Sequence, residues 1–184
     1  GTVVTSFSEL TAAVTKAEKA GGGIVYVKGS SISCTAQLAL KASNANVSII
    51  GVKNSDGTYP VLDFSAFRSA YIGKATTDSE VGIRISGSKY TIKNLIIQKA
   101  PDNGIQIKGS SAGNNTIENC MVRYNNDAGV QITGGAYSNA MRFVYSYRNC
   151  DVYTLGGNAD GFAPKLGAGK GNVCLLYTSP SPRD

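Results

Sequence analysis

Thr91-Ile-Lys-Asn-Leu-Ile-Ile-Gln98 and Thr116-Ile-Glu-Asn-Cys-Met-Val-Arg123 are two copies of one segment, set 25 residues apart. A worn third copy, Met141-Arg-Phe-Val-Tyr-Ser-Tyr-Arg148, follows after another 25. Asp102-Asn-Gly104 and Asp127-Ala-Gly129 keep the same step. Gly82-Ile-Arg-Ile-Ser86, Gly104-Ile-Gln-Ile-Lys108 and Gly129-Val-Gln-Ile-Thr133 are copies of a second short strand. A near-constant step filled by short strands and tight turns is one turn of a β-solenoid. Side chains alternate along a strand, so Ile83, Ile105 and Val130 form one inward column, and Ile85, Ile107 and Ile132 the next. Asn94 falls above Asn119 in the same bend, where stacked amides can hydrogen-bond along the axis. A β-sandwich with a chance repeat would not hold one step in two separate segments. The fold class is therefore all-β, a parallel β-helix.

Upstream of the repeat lies one helix. Ser6 and Glu9 fit a capping box, and Phe7, Leu10, Ala13, Val14 and Ala17 share a face at helical spacing. Gly21-Gly-Gly23 ends it, and the strand Gly23-Ile-Val-Tyr-Val-Lys28 follows at once. A short amphipathic helix must bury its stripe, so it is expected to cap the end of the sheet stack. No second helical pattern follows. The expected strands are Val47 to Ile50, Pro60 to Phe64, Gly82 to Ser86, Tyr90 to Gln98, Gly104 to Lys108, Asn115 to Arg123, Gly129 to Thr133 and Met141 to Tyr147.

Composition narrows the function. Of 184 residues, 42% are hydrophobic and 16% charged, which excludes a disordered chain. No apolar run is long enough to span a bilayer. There is no histidine, so any chemistry rests on carboxylates, Lys, Arg, Tyr or a hard metal ion. The net charge of +6 favours polyanionic partners. The basic residues are scattered without an aromatic stacking platform, which argues against nucleic acid. Cys34, Cys120, Cys150 and Cys174 contain no Cys-x-x-Cys pair, so a zinc site is not expected. Cys120 and Cys150 are either buried thiols in neighbouring coils or a disulfide.

The regular step breaks before Gly161-Phe-Ala-Pro-Lys165. That strand follows Gly129 by 32 residues, and the seven extra fall in Cys150–Asn158. Solenoids carry binding function on such insertions. Aligned on its glycine, the strand puts Asp160 over Asn103 and Ala128, and Lys165 over Ser86, Lys108 and Thr133. An acid and a base thus stand at the two ends of one exposed strand, with Asp127 one coil below.

Gly157-Asn-Ala-Asp-Gly-Phe-Ala-Pro-Lys-Leu-Gly-Ala-Gly-Lys-Gly-Asn172 resembles the signature of the pectate lyases of polysaccharide lyase family 9. Asn125-Asn-Asp-Ala-Gly-Val-Gln-Ile132, Ser146-Tyr-Arg-Asn149 and Ser6-Phe-Ser-Glu-Leu10 resemble the same family, and the likeness runs to about Val173. It implies a right-handed β-helix that cleaves polygalacturonate by β-elimination with Ca²⁺. It also implies that Asp160 is a calcium ligand. Calcium would stabilise the enolate-like intermediate, and a Lys or Arg base would remove the C5 proton. The family's other carboxylates and its catalytic Lys lie on later coils, beyond this chain. Lys165, Lys108 and Gln131 on the same outward face are the candidate substrate contacts.

Residues 1–173 are read as the N-terminal part of one β-helix domain. Cys174–Asp184 ends in Ser-Pro-Ser-Pro-Arg-Asp, abandons the repeat and resembles a conceptual translation of sequencing-adapter DNA; it is read as a non-native tail. The expected function is a secreted, calcium-dependent pectate lyase acting on acidic polysaccharide, monomeric at full length and inactive as this fragment. A non-catalytic polysaccharide-binding module or adhesin fits the same fold. So does a polygalacturonase, although Asp127, Asp151 and Asp160 do not fall in one column.

Overall fold

The computed structural model describes residues 1–151, 153–158 and 160–175. Its strands form three parallel sheets that wind around one core. The first contains, in spatial order, Thr2–Val4, Gly23–Val27, Val47–Gly51, Tyr90–Lys93, Thr116–Glu118, Ala140–Arg142 and Val173–Leu175. The second runs Ser31–Ser33, Val61–Asp63, Ile96–Gln98, Met121–Arg123 and Tyr145–Tyr147. The third runs Leu38–Leu40, Ile83–Ile85, Ile105–Lys108, Val130–Thr133 and Phe162–Pro164.

The expected inward columns exist. Ile83, Ile105 and Val130 stack, as do Ile85, Ile107 and Ile132, and all six are at most 1% exposed. Burying each is worth about 1.5–3 kcal/mol, and this repeated term holds the coils together. The corner before the third sheet is too tight for side chains. A β-carbon on Gly129 would lie 1.9 Å from Ser146 Oγ. The backbone ladder passes through the same corner, with Gly104 N donating to Ala128 O and Gly129 N to Asp160 O.

Asparagine side chains form a second set of ladders. Asn119 Nδ2 donates to Asn94 Oδ1 at 2.7 Å, as the repeat implied. Both residues have positive φ, 59° and 49°, so each long segment expected as one strand is bent into two. A buried ladder links Asn115, Asn139 and Asn172, and another links Asn125 and Asn149.

The third copy of the segment is out by one residue. Thr116 pairs with Ala140, and Ile117 with Met141. Asn139 sets this register, because its Oδ1 accepts from both the backbone and the side chain of Asn115. Phe143, at φ 53°, takes the bend position held by asparagine in the coils below.

The helix spans Phe7–Lys19, with Ser6 as N-cap accepting from Glu9 N and Glu9 reaching back to Thr5 N. Leu10, Ala13 and Val14 are buried against the first coil. Tyr90 anchors the far end of the helix: its hydroxyl donates to Glu18 Oε1 and accepts from Ala42 N.

A second helical segment, not anticipated from the pattern, occupies Ser65–Arg68 and continues as a 3₁₀ turn over Ser69–Tyr71. At four residues it is too short to carry a hydrophobic period. Cys174 and Leu175 pair with Met141 and Arg142, so the coil runs two residues past the expected departure point. The rest of the tail reading, residues 176–184, lies outside the described residues. All four cysteines are free thiols, which answers the question of a Cys120–Cys150 disulfide.

Candidate functional site

The outward face of the third sheet gathers the charged residues singled out above. Phe162 pairs with Val130, which fixes the expected register: Asp160 stands one coil above Ala128 and two above Asn103, and Lys165 lies over Thr133 and Lys108. Lys165 Nζ lies 3.2 Å from Asp160 Oδ2 and 3.5 Å from Asn158 Oδ1. The acid and the base at the two ends of the strand are therefore an ion pair, both partly open to solvent.

Lys108 has a different partner. The connection between Phe64 and Gly82 folds over the sheet face and delivers Asp78. Its carboxylate accepts from Lys108 Nζ at 2.6 Å and Gln106 Nε2 at 2.9 Å, and lies 3.4 Å from Arg84. Burial pushes the Asp78 carboxyl up, but the Lys108 and Gln106 hydrogen bonds and the cationic neighbours outweigh it and hold it below the ordinary range. Gln131 is 7% exposed, and its Oε1 accepts from Gln106 Nε2 at 2.8 Å. The structure thus places Lys165, Lys108 and Gln131 on one face. Lys108 and Lys165 are both partly open to a ligand, and each is paired to a carboxylate.

Beside this face, at the corner leading into the sheet, are three more carboxylates. Asp102 accepts from Thr76 Oγ1, Asn103 N and Asn103 Nδ2, each at 2.6 Å, yet burial still raises its pKa. Burial, then the charge of Asp102, push the Asp127 carboxyl up to about 6, with Asp151 adding to the rise; the Ala128 N–H and Lys165 oppose it. Asp102 and Asp78 were not legible as site residues. Asp78 lies on a connection with no repeat, and the strand Leu38–Leu40 that would have exposed the extra length of that coil carries a weak signal of its own.

Calcium requires six to eight hard oxygen ligands at 2.3–2.6 Å. Asp160 and Asn158 supply oxygens of the right kind. Among the described residues, however, no three His, Cys, Asp or Glu side chains converge on one point. The buried, unpaired Asn103 Oδ1 stands two coils from Asp160, or roughly 10 Å at the spacing of β-strands, and cannot share an ion with it. The described residues by themselves do not form a complete calcium site.

Fold and site together define a right-handed parallel β-helix with a charged, carboxylate-bearing face. The chain belongs to the Pel9A-like family: the Pel9A-like, right handed beta helix region matches residues 1–177. Pectate lyase L of Paenibacillus polymyxa (strain SC2) is 34% identical over 167 residues, covering 84% of this chain and 34% of that protein. The chain thus spans about a third of the length of this curated relative. Among solved structures, pectate lyase Pel9A superposes with a TM-score of 0.71 at 22% identity, over 93% of this chain and 41% of the other. A rhamnogalacturonan lyase gives 0.65 at 19% identity, over 86% and 43%. Both show the same fold.

Proposed function

We propose that this chain is part of a secreted, calcium-dependent pectate lyase that cleaves polygalacturonate by β-elimination. The observation that carries the reading is the Asp160–Lys165 pair, set at the two ends of an outward-facing strand within a family whose relatives include a pectate lyase. In β-elimination the C5 proton leaves, the C4–O bond breaks, and the product carries a C4–C5 double bond. Calcium, when bound, would draw charge from the substrate carboxylate and so make the C5 proton more acidic. Asp160 would be one of its ligands. Lys165, freed from Asp160, would hold a uronate carboxylate, with Lys108 and Gln131 on the coils below. The catalytic base and the remaining ligands belong to coils outside residues 1–175, so this chain alone would not turn over substrate. The polymeric substrate implies action outside the cell, and a complete helix would act as a monomer.

One observation favours a second reading. Asp127, held at about 6 beside Asp102, has the raised pKa expected of a hydrolase's general acid. The test separates the two. The native-length protein is incubated with polygalacturonate, with calcium or with chelator. Ultraviolet absorbance of an unsaturated product, lost with chelator and in Asp160→Asn, is the expected result. Reducing ends without that absorbance would establish the hydrolase. Binding with no cleavage would identify a non-catalytic module.

A further inference from the structure

A groove of about 680 Å³ runs beside the sheet face, along the turns that join the second sheet to the third. Pro101, Asn126 and Asp151 border it on three successive coils, and the segment from Arg68 to Thr76 forms its other wall. None of the site residues above except the Asp102–Asp127–Asp151 corner adjoins it. Its chemistry is basic and aromatic.

Tyr124 is the centre. Arg148 Nη1 donates to its hydroxyl at 2.9 Å, and the Arg148 guanidinium lies 5.8 Å from its ring centre. The Arg123 guanidinium lies 5.5 Å from the same ring. Arg68 Nη1 ties the opposite wall to this residue, donating to Tyr124 O and Asn126 Oδ1, both at 2.9 Å. Lys74 adds an exposed ammonium, and Tyr153, 56% exposed, a second ring. The one acid in the groove, Asp151, is occupied by its own loop, accepting from Tyr153 N, Thr154 N and Thr154 Oγ1. Asp63 attracts the Arg68 guanidinium from outside the groove, and among the described residues neither Lys74 nor Arg148 forms an ion pair. The floor is rigid, because Asn125 and Asn149 ladder directly behind it: Asn125 Nδ2 donates to Asn149 Oδ1 and Asn149 Nδ2 to Val122 O. Little ordering remains to be done on binding.

We propose that this groove is a second saccharide site, which holds an acidic oligosaccharide, an oligouronide, alongside the sheet face. Tyrosine rings offer the flat apolar surface that a sugar ring covers. The guanidinium groups of Arg68 and Arg148 match carboxylates in planar, paired hydrogen bonds, and Lys74 adds a point charge. A neutral glycan would leave those cations unmatched. The choice of a uronide rests on the polyuronate reading above. The existence of an anionic-saccharide site does not.

The experiment measures binding of tetragalacturonate, by calorimetry in chelator, to the chain as it stands and to three variants. Lys74→Glu and Tyr153→Ala change exposed side chains, and Arg148→Glu removes the contact to Tyr124. Each is expected to weaken binding about tenfold or more, since each loses a charge-assisted or stacking contact. Lys19→Glu, at an exposed lysine of the capping helix away from the groove and the sheet face, is expected to leave it unchanged. Unaltered affinity in Lys74→Glu and Tyr153→Ala would overturn the proposal, as would equal binding of neutral galactotetraose. Equal binding of a single-stranded oligonucleotide would overturn it too, by showing an unselective polyanion patch. If the native-length protein releases no unsaturated product yet tetragalacturonate binding is lost in these variants, the groove stands and the lyase reading falls.

Discussion

Lys108 Nζ and Asp78 Oδ2 are 2.6 Å apart, and this contact pins the long connection before Gly82 across the sheet face. On the proposed function, a uronate carboxylate competes with Asp78 for Lys108. Asp78→Asn is therefore expected to tighten oligogalacturonate binding on this face, and Lys108→Met to cancel the gain. Both partners are partly exposed, so the stability cost of either change is small, below about 1 kcal/mol. Calorimetric titration of the double-mutant set checks this. No tightening in Asp78→Asn would make Lys108 an anchor for the connection and nothing more.

Asn139 is fully buried and carries the longest amide ladder. It accepts from Asn115 N and Nδ2, and donates to Ala112 O and Asn172 Oδ1. Asn139→Ala leaves the Asn115 N–H buried without a partner and removes the other bonds, a loss of about 3 kcal/mol. The urea midpoint should fall accordingly. A change under ~0.5 kcal/mol would mean the ladder is incidental to stability.

Folding raises the Asp127 pKa from about 3.9 in an unfolded chain to about 6. The folded state therefore holds the proton more tightly. Its contribution is fully present below about pH 4 and is lost as the pH rises through about 6. Asp102 shifts in the same direction. Asp127→Asn keeps an acceptor for Ala128 N and removes the charge, so it should stabilise at pH 7 and do nothing at pH 4. Equal urea midpoints for variant and parent at both pH values would mean that Asp127 is ionised at no cost.

Burial pushes the Cys34 and Cys120 thiols up to about 12. At pH 8 neither yields appreciable thiolate. A thiol reagent should label Cys150 and Cys174, both half-buried, well before these two. Unfolding in urea should bring the slow pair level with the fast one. Rapid labelling of Cys120 in the native protein would contradict its place in the core.

The sequence made the core readable because alternating isoleucines at a fixed step leave only one way to stack. It made the positions of Asp160 and Lys165 readable for the same reason: both flank a strand whose glycine fixes the register. It misplaced the third repeat because apolar residues were matched there, whereas the structure is registered by Asn115 and Asn139. Asp78 and the groove stayed hidden. Their residues come from turns and from the Phe64–Gly82 connection, where no period exists. Arg68 and Tyr124 meet only because the coils stack, and nothing in either local sequence announces it.

The corner hydrogen bond from Gly104 N to Ala128 O also bears on how the molecule ages. Asn103-Gly104 is the dipeptide most prone to spontaneous deamidation, in which the glycine nitrogen attacks the asparagine side chain and closes a succinimide ring. Here that nitrogen is tied into the ladder, and the Asn103 side chain, 2% exposed, is held by Asp102. The coil blocks the attack and excludes the water that would complete it. The bond most fragile in the unfolded chain is thus preserved for as long as the solenoid stays wound.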